Sequence, residues 1–146
     1  MITFRKIKPD DAAKVVDLMN QLGYEVNQDN LSKIVKLILQ NDDGTAIVAL
    51  NDQGKVVGSL QISITNRLAE GNYGEIVSLV VDQNERGKGI GKGLVNESTT
   101  WLAKKGYPKI RVRCNVIRLE AHKFYECLDF AEKKTQKIFE KVIIPK

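Results

Sequence analysis

The 146-residue chain has few of the residues that build metal centres, disulfide frameworks or linkers. Its two cysteines, Cys114 and Cys127, form no C-x-x-C pair and are too few for a disulfide scaffold, so we expect reduced thiols. His122 is the only histidine, which argues against a histidine-based zinc site. Three prolines are too few for a long disordered linker. The length and these scarcities predict a single domain over residues 1–146.

Long apolar runs are missing as well. No stretch approaches the roughly 20 apolar residues that cross a bilayer, and the start, MITFRKIKPDD, lacks the apolar core of a signal peptide. We therefore expect a cytoplasmic protein with no membrane partner.

The net charge of +5 would suit an anionic partner, such as a nucleic acid, a membrane surface or a phosphorylated small molecule. The cations do not form a basic tract with interleaved aromatic residues, because the adjacent lysines at 104–105 and 133–134 are only short pairs. We expect no nucleic-acid partner, and a salt-dependent shift with RNA or DNA would contradict that expectation.

The spacing of apolar residues predicts a mixed α/β sheet with helices on both faces, antiparallel at first and with a β-α-β unit in the middle of the chain. Pro9 and Gly23 bracket the first helical pattern, and Gly106 is placed to end the third. The expected elements are strands at 2–7, 46–50, 55–65, 73–81 and 109–115, a closing hairpin at 130–144, and helices that begin near residues 12, 30, 90 and 121.

The stretch VVDQNERGKGIGKGLV, residues 80–95, places four glycines and three cations at the predicted turn between a strand and a helix. It is not a nucleotide P-loop, because Arg86 stands where the first glycine is needed and Gly93 where Ser or Thr is needed. It is not a dinucleotide fingerprint either, because Lys92 stands at the third glycine position. The stretch therefore needs another explanation.

The backbone of this glycine-rich stretch offers an explanation. The N–H groups at a helix start have no intrahelical partner and carry the positive end of the helix dipole, so they can bind a phosphate oxyanion. Gly91 and Gly93 fall where the helix should already be running, at a cost of roughly 1 kcal/mol each against Ala. Such a break of a local rule is typical of a functional site, although a merely flexible Gly-Lys turn is the alternative. Arg86, Lys88 and Lys92 would add positive charge.

Two motifs carry a resemblance to a known family. The run R86-G87-K88-G89-I90-G91 resembles the (Q/R)-x-x-G-x-(G/A) signature of the GNAT N-acetyltransferases, and EAHKFYECLDF resembles their A-x-x-F-Y-x-x-x-G-F segment. The likeness covers residues 75–130 and implies the α/β GNAT fold, a mixed and mostly antiparallel sheet of about seven strands with helices on both faces. Asp129 departs from the pattern, because the family has Gly there, and this leaves the turn geometry after the helix in question.

The resemblance implies acetyl-CoA as co-substrate, and with it a set of cofactor-binding residues. The loop would wrap the pyrophosphate with its backbone amides, and the end of the preceding strand would pair with the pantetheine arm, with one N–H polarising the thioester carbonyl. Asn115 would contact the pantetheine or hold its strand, and Arg118 stands where many relatives have an Asn that faces the cofactor. The loop and strand positions are Leu79, Val80, Val81, Arg86, Gly87, Lys88, Gly89, Ile90, Gly91 and Lys92.

Acetyl transfer to an amine needs two proton sites. Tyr125 matches the family's tyrosine acid, since a phenol with an ordinary pKa near 10 can protonate a thiolate; a core role is the alternative, because Tyr125 shares a helical face with Phe124. Glu75 is the candidate base, directly or through water, and a solvated strand-end carboxylate is the alternative. His122 is a further candidate for proton transfer, against a surface or supporting role.

The stretches GEIVSLVV and NVIRLEAHKFYE are similar to the small-molecule branch of the family, which includes aminoalkylphosphonate and aminoglycoside N-acetyltransferases. We therefore expect the acceptor to be a primary amine on a small polar molecule. The acidic side chains of Glu25, Asp29, Glu70 and Glu75 would attract a cationic acceptor, or they are ordinary surface acids.

The alternative function is an acyl-CoA-binding sensor without turnover that uses its helices to contact a partner protein. The two functions differ in whether an amine is acetylated. A homodimer is also expected, because dimers through the last strands are common in this fold. The end of the chain is apolar at Ile138, Phe139, Val142, Ile143 and Ile144.

Overall fold

A computed structural model describes residues 1–144 and divides the chain into two compact units, Met1–Arg113 and Cys114–Lys146. The first unit contains five strands and three helices. The strands are β1 (Thr3–Lys6), β2 (Gly44–Leu50), β3 (Val56–Arg67), β4 (Gly71–Val81) and β5 (Ile110–Val112), and the helices are α1 (Ala12–Gln21), α2 (Gln28–Gln40) and α3 (Ile90–Lys104). The second unit contains helix α4 (Leu119–Cys127).

The five strands form one sheet in the order β1-β2-β3-β4-β5. The first four pair antiparallel with their neighbours, and β5 lies parallel to β4, which it follows after the α3 crossover. The β2–β3 and β3–β4 connections are hairpins; Gly54 and Gly71 supply the positive φ of their turns. These elements confirm the predicted mixed sheet and its central β-α-β unit.

One face of the sheet packs against α1 and α2. Val15 and Leu18 of α1 and Val35 of α2 join Val48 and Val80 of the sheet in a buried cluster. The start of α1 is held by Asp11, whose carboxylate accepts two hydrogen bonds from Arg5 (2.8 and 2.9 Å) and one from the Lys8 N–H (2.7 Å). Helix α2 begins two residues earlier than predicted, because the Asn27 side chain caps it.

The opposite face packs against α3. Gly58 lies against Ile90 and Leu94, and Gly74 lies against Leu102, so closely that an added Cβ would overlap the leucine side chain. These two glycines let the helix approach the sheet, which fixes the position of the α3 N-terminus relative to β4. Helices therefore cover both faces of the sheet, as the apolar spacing predicts.

In the second unit, the prediction of a closing hairpin at 130–144 is wrong: the structure assigns no strand there, and every residue from 131 to 144 is exposed. The first arm of that hairpin, AEKKTQK, has no alternating apolar face, so its sequence does not specify a strand. The described chain consequently has five strands rather than about seven. Strand β5 is also shorter than the predicted 109–115.

None of the helices in residues 1–144 has both the length and the apolar composition of a bilayer-spanning segment.

Candidate functional site

The site begins at a break in the pairing of β4. Along β3, Ile62 pairs with Ile76 and the preceding Gln61 pairs with Ser78, so Val77 is an extra residue that forms a β-bulge. On the other side, β5 pairs with β4 only from Gly74 to Ile76. Within residues 1–144, the β4 backbone from Val77 to Val81 therefore has no strand partner on that edge. An unpaired edge is ready to bind another extended chain.

The edge leads directly into the glycine loop. Gly87 and Gly89 have φ of 82° and 78°, which L residues rarely adopt, so this turn explains why the sequence places glycine there. Gly89 is the N-cap of α3 and provides no side-chain cap. The first N–H of the helix with an internal partner is that of Gly93, bonded to the Gly89 carbonyl at 3.0 Å. The preceding N–H groups are the donors of a potential anion site.

The three cations of the loop differ in their surroundings. Lys88 is paired with Glu85 (Nζ–Oε2 2.6 Å), so its charge is partly neutralised. Arg86 and Lys92 are exposed and make no ion pair within the described chain. Most of the uncompensated charge beside the loop therefore comes from Arg86 and Lys92.

Two residues that the sequence did not single out hold the loop in place. Asp82 is buried; its N–H donates to the Val57 carbonyl (2.8 Å), and its carboxylate accepts from the Asn84 N–H (3.0 Å). Gln21, at the end of α1, accepts a hydrogen bond from the Gln83 N–H at 2.9 Å. An acidic residue before a turn is a recognisable cap signal, but no local pattern links Gln21 to a residue 62 positions away.

Glu75 lies within β4, not at a solvated strand end. Its Oε1 accepts a hydrogen bond from Arg113 Nε at 3.0 Å, and its side chain is 20% exposed. This hydrogen bond to Glu75 raises the pKa of Arg113 against the opposing effect of burial. Glu75 Oε2 has no hydrogen bond in the described chain, so one carboxylate oxygen is available to another partner.

Tyr125 is buried in α4 between two aromatic neighbours in the second unit. Its ring makes edge contacts with Phe124 (5.0 Å between centroids) and Phe130 (5.4 Å). Burial, with a further contribution from Cys114 and against the effect of Arg118, raises the pKa of Tyr125 to about 12. The phenol thus remains protonated at neutral pH. Its hydroxyl makes no hydrogen bond within residues 1–144, so its proton is available for transfer.

The turn after α4 adopts its expected geometry despite Asp129. Asp129 has φ of 69°, the only positive value at a non-glycine residue in the described chain. Its N–H donates to the Glu126 carbonyl (3.1 Å), and the Phe130 N–H donates to that of Tyr125 (3.0 Å). This is a Schellman motif, in which Asp tolerates the left-handed conformation at a cost. The turn places Phe130 against the Tyr125 ring.

His122 and Asn115 form a small network at the start of α4. His122 Nε2 lies 2.9 Å from the Asn115 carbonyl oxygen, and the Asn115 side chain accepts from the Ile117 N–H at 3.1 Å. Arg118 is the exposed N-cap of the helix. His122 is thus engaged with the loop backbone, which favours its supporting role over proton transfer.

The structure therefore brings the predicted residues together in two groups. In the first unit, the β4 edge, the glycine loop and the α3 N-terminus are continuous, and Glu75 lies two residues before the bulge. In the second unit, His122 contacts Asn115, Arg118 is the N-cap of α4, and Tyr125 lies in the last turn of the same helix. Cys114, whose pKa is raised by burial, is a neighbour of Tyr125 that the sequence did not indicate.

Known proteins resemble this chain in sequence and in fold. The sequence model described as Acetyltransferase (GNAT) family matches residues 13–130. An uncharacterised N-acetyltransferase of Methanocaldococcus jannaschii is 29% identical over 103 residues, 69% of this chain and 45% of that protein. The chain thus spans less than half the length of the curated relatives it matches.

Solved structures of other proteins superpose on nearly the whole chain. The crystal structure of glucosamine-6-phosphate N-acetyltransferase from Arabidopsis thaliana superposes with a TM-score of 0.81 and 25% identity, over 99% of each chain. AAC(6')-Iy in complex with the bisubstrate analogue CoA-S-monomethyl-acetylneamine has a TM-score of 0.86 and 20% identity, over 97% of this chain and 99% of that one. The second likeness concerns the fold alone.

The family uses acetyl-CoA, and the structure tests whether this chain can hold it. The unpaired β4 edge suits an extended pantetheine arm, and the uncapped α3 N-terminus with Gly87 and Gly89 suits a pyrophosphate. The residues present fit the cofactor at both places. With the match over residues 13–130, these features establish that the chain belongs to the GNAT acetyltransferase family.

Proposed function

We propose that this protein transfers the acetyl group of acetyl-CoA to a primary amine of a small polar molecule, by direct attack in a ternary complex. The observation that carries the proposal is the continuity of the unpaired β4 edge with the uncapped start of α3. It provides backbone donors for both the pantetheine arm and the pyrophosphate. Acetyl-CoA supplies the acetyl group as a thioester, with the CoA thiolate as leaving group.

In this mechanism, the backbone of the first unit binds acetyl-CoA and polarises its thioester carbonyl. The carbonyl and N–H groups of Leu79, Val80 and Val81 pair with the pantetheine arm, and one N–H at the bulge donates to the thioester oxygen as charge develops there. The amides of residues 87–92 hold the pyrophosphate, and Arg86 and Lys92 add charge around it. Asn115 and Arg118 are the proposed cofactor contacts of the second unit.

Two side chains move protons. As the amine nitrogen forms its bond to the acetyl carbon and the carbon–sulfur bond breaks, the amine gives up one proton and the departing sulfur receives one. We assign the first proton to Glu75 Oε2, directly or through water, and the second to the Tyr125 hydroxyl. A phenol is protonated at neutral pH even with its ordinary pKa near 10, and Tyr125, whose pKa is raised by burial, therefore holds the proton that the sulfur needs.

The assignment of Glu75 can be separated from a structural role. Glu75→Gln keeps the hydrogen-bond acceptor for Arg113 but removes the base. We expect kcat/KM at neutral pH to fall by about a factor of 10², with recovery at higher pH where more of the amine is already deprotonated. A loss that is equal at all pH values would contradict the base assignment.

The structural neighbours offer two kinds of acceptor. Their names specify glucosamine 6-phosphate in one case and an acetylneamine analogue in the other. Both are amines on polar, carbohydrate-like scaffolds, which supports a small polar acceptor for this chain. They also define the first compounds to test.

We further propose that residues 1–146 act as one domain, because the family match crosses the boundary between the two units. The two free cysteines are compatible with the reducing cytoplasm.

We also propose a homodimer in which a second copy covers the C-terminal segment 138–144. That segment exposes Ile138 (87%), Phe139 (89%) and Ile143 (85%), and its backbone belongs to no strand. Exposed apolar residues on unpaired extended backbone favour pairing with another chain. Solution scattering should give the mass of a dimer, and the double variant Ile138→Lys, Phe139→Lys should give a monomer. A monomeric mass for the unmodified protein would rule the dimer out.

The function itself is tested by calorimetric titration with acetyl-CoA, followed on the same sample by thiol release with amino sugars, aminoglycosides, amino acids and aminophosphonates. Binding in the micromolar range with release on one acceptor class supports the enzyme. Binding without release on any acceptor supports the acyl-CoA sensor. Absence of binding would show that the glycine loop has been misinterpreted.

A further inference from the structure

A row of paired residues crosses the sheet beneath the start of α3. Phe4 of β1 pairs with Ala49 of β2, Ala49 pairs with Gly58 of β3, and Gly58 pairs with Val81 of β4. Residues that pair directly across antiparallel strands lie on the same face of the sheet. Because Gly58 lies against α3, all four residues are on the face that this helix covers. We call Phe4, Ala49, Gly58 and Val81 the cross-sheet row.

The two small residues in the middle of the row bring α3 close to the sheet. Ala49 is buried, and a Cβ added to Gly58 would lie 3.0 Å from Ile90 Cγ2 and 3.1 Å from Leu94 Cδ1. Ile90 and Leu94 are themselves buried, so the first turns of the helix pack directly on the β3 backbone. The height of the α3 N-terminus above the sheet is therefore set by the absence of a side chain at residue 58.

Phe4 contacts the same turns of the helix at Gly93. An added Cβ at Gly93 would overlap Cζ of the Phe4 ring and would lie 3.1 Å from Cε1 and Cε2. Gly93 is three residues after Ile90, so the two residues lie on the same side of the helix. The backbone at Gly93 is helical, and alanine is a better helix former than glycine. The ring of Phe4 therefore explains why the sequence has glycine here.

The contact adjoins the amides that are proposed to bind the pyrophosphate. The Gly93 N–H is the first that is bonded inside the helix, so the free N–H groups come immediately before the residue that Phe4 contacts. At the other side of the row, Val81 is the last residue of the β4 edge. Hydrogen bonds need donor–acceptor distances of about 2.7–3.2 Å, so a small displacement of the helix start would weaken several of them at once.

We propose that Phe4 and Gly93 are positioning residues for acetyl-CoA, because their contact holds the α3 N-terminus at the place where its amides meet the pyrophosphate. This inference rests on the proposed cofactor site. Phe4 is on β1, three strands away from β4, and the Gly93 N–H is used within the helix. Both residues therefore act through the amides of residues 87–92 and not by touching the cofactor.

Two complementary substitutions test the contact by calorimetric titration with acetyl-CoA. Gly93→Ala should raise the Kd at least about fivefold, as expected when overpacking displaces the bound geometry. Phe4→Leu, which removes the tip of the ring, should raise the Kd about twofold. The double variant should bind more tightly than Gly93→Ala, because the shorter leucine leaves room for the added methyl group. An unchanged Kd in Gly93→Ala, or a double variant that binds no better than Gly93→Ala, would overturn the proposal.

NMR of the protein without cofactor measures the position of the amides directly. The amide signals of Gly87 and Gly89 should shift in Gly93→Ala and return toward their original positions in the double variant. Val35→Ala is the control, because it removes buried atoms of α2 on the opposite face of the sheet. It should lower the urea midpoint and leave these signals and the Kd unchanged. If Val35→Ala raises the Kd as much as Gly93→Ala does, the effect is one of general stability and the proposal is wrong.

Kinetics separates this inference from the proposed function. With an amine that is acetylated, Gly93→Ala should raise the KM for acetyl-CoA while kcat stays nearly unchanged, as expected for lost binding that the ground state and the transition state share. If no amine is acetylated but the calorimetric pattern holds, the proposed transfer fails and the positioning role stands. If amines are acetylated and Gly93→Ala changes neither the Kd nor the KM for acetyl-CoA, only the positioning role fails.

Discussion

The two units of this protein differ in how much of the buried core they contain and in which proposed catalytic side chains they contain. Residues 1–113 hold all five strands and every buried hydrophobic residue of the described chain except Tyr125. Residues 114–144 hold one helix of nine residues and a long exposed segment. The only side chain proposed to protonate the leaving group, Tyr125, is in this second part.

The difference separates a first unit that contains the buried core from a less buried second unit that contains the proposed acid. The first unit fixes backbone groups, at the β4 bulge and the α3 N-terminus, which must stay in place to bind a cofactor. The second unit contains Tyr125, the side chain proposed to protonate the leaving group. Changes at these backbone groups should therefore appear mainly as lost stability or affinity, whereas changes at the two side chains proposed to move protons, Glu75 in the first unit and Tyr125 in the second, should appear as lost rate.

The largest expected effect concerns rate in the second unit. Tyr125→Phe removes the donating hydroxyl but keeps the ring that packs on Phe124 and Phe130. We expect kcat to fall by at least about a hundredfold, with the Kd for acetyl-CoA and the urea midpoint nearly unchanged. Steady-state kinetics and calorimetry on the same preparation measure this. Tyr107→Phe is the matched control, and a Tyr125→Phe protein with full activity would remove the acid assignment.

A large effect on stability is expected in the first unit, at Asp11. Burial by itself raises the pKa of this carboxyl, but the hydrogen bonds from Arg5 and the Lys8 N–H outweigh it, so the pKa lies below its ordinary value. Asp11→Asn should lower the free energy of unfolding by about 2 kcal/mol at pH 7. Because the folded-state pKa is lowered, the contribution is complete above the ordinary pKa of Asp and disappears as the pH falls through the folded value.

Urea unfolding at pH 7 and at successively lower pH measures the effect. The difference between Asp11→Asn and the unmodified protein should shrink as the pH falls. Asp10→Asn, at an exposed neighbour in the same turn, is the control and should change little. A difference that stays constant with pH would contradict the role of the ionised Asp11 carboxylate.

The contrast between the units also explains which features the sequence could predict. Local sequence signals were enough to predict the start of α3, because the positive φ at residues 87 and 89 favours glycine. They were also enough to predict the helix that contains Tyr125. The sequence could not predict hydrogen bonds between residues far apart in the chain. Arg113 donates to Glu75, which is 38 residues away, and the Gln83 N–H donates to Gln21. The predicted closing hairpin failed because apolar spacing specifies a strand only where a partner is present to pair with it.

A moderate effect is expected on cofactor affinity in the first unit. Gly89→Val places a β-branched residue at φ of 78°, where it strains the loop and displaces the amides of the α3 N-terminus. The Kd for acetyl-CoA should rise about tenfold, as expected for a strain of about 1–2 kcal/mol expressed in the bound geometry. Calorimetric titration measures it directly.

The chain offers a matched control for this change. Gly106, at the other end of α3, has φ of 87° and, like Gly89, has no atom within 4 Å of an added Cβ. Gly106→Val should therefore cost similar stability without changing the Kd. If both variants bind acetyl-CoA alike, the glycine loop does not contact the cofactor.

The smallest expected effect is a gain, and it concerns the second unit. Asp129 adopts the left-handed conformation that Gly adopts without strain, and the Schellman hydrogen bonds that it completes hold Phe130 against Tyr125. Asp129→Gly should raise the free energy of unfolding by about 0.5–1 kcal/mol, with kcat unchanged because the Tyr125 hydroxyl is untouched. Thermal unfolding of Asp129→Gly and of Asp129→Ala gives the test, since Ala cannot relieve the strain and should be neutral or destabilising. A stabilised Asp129→Ala would show that the Asp129 charge, rather than its backbone conformation, limits the stability of this helix end.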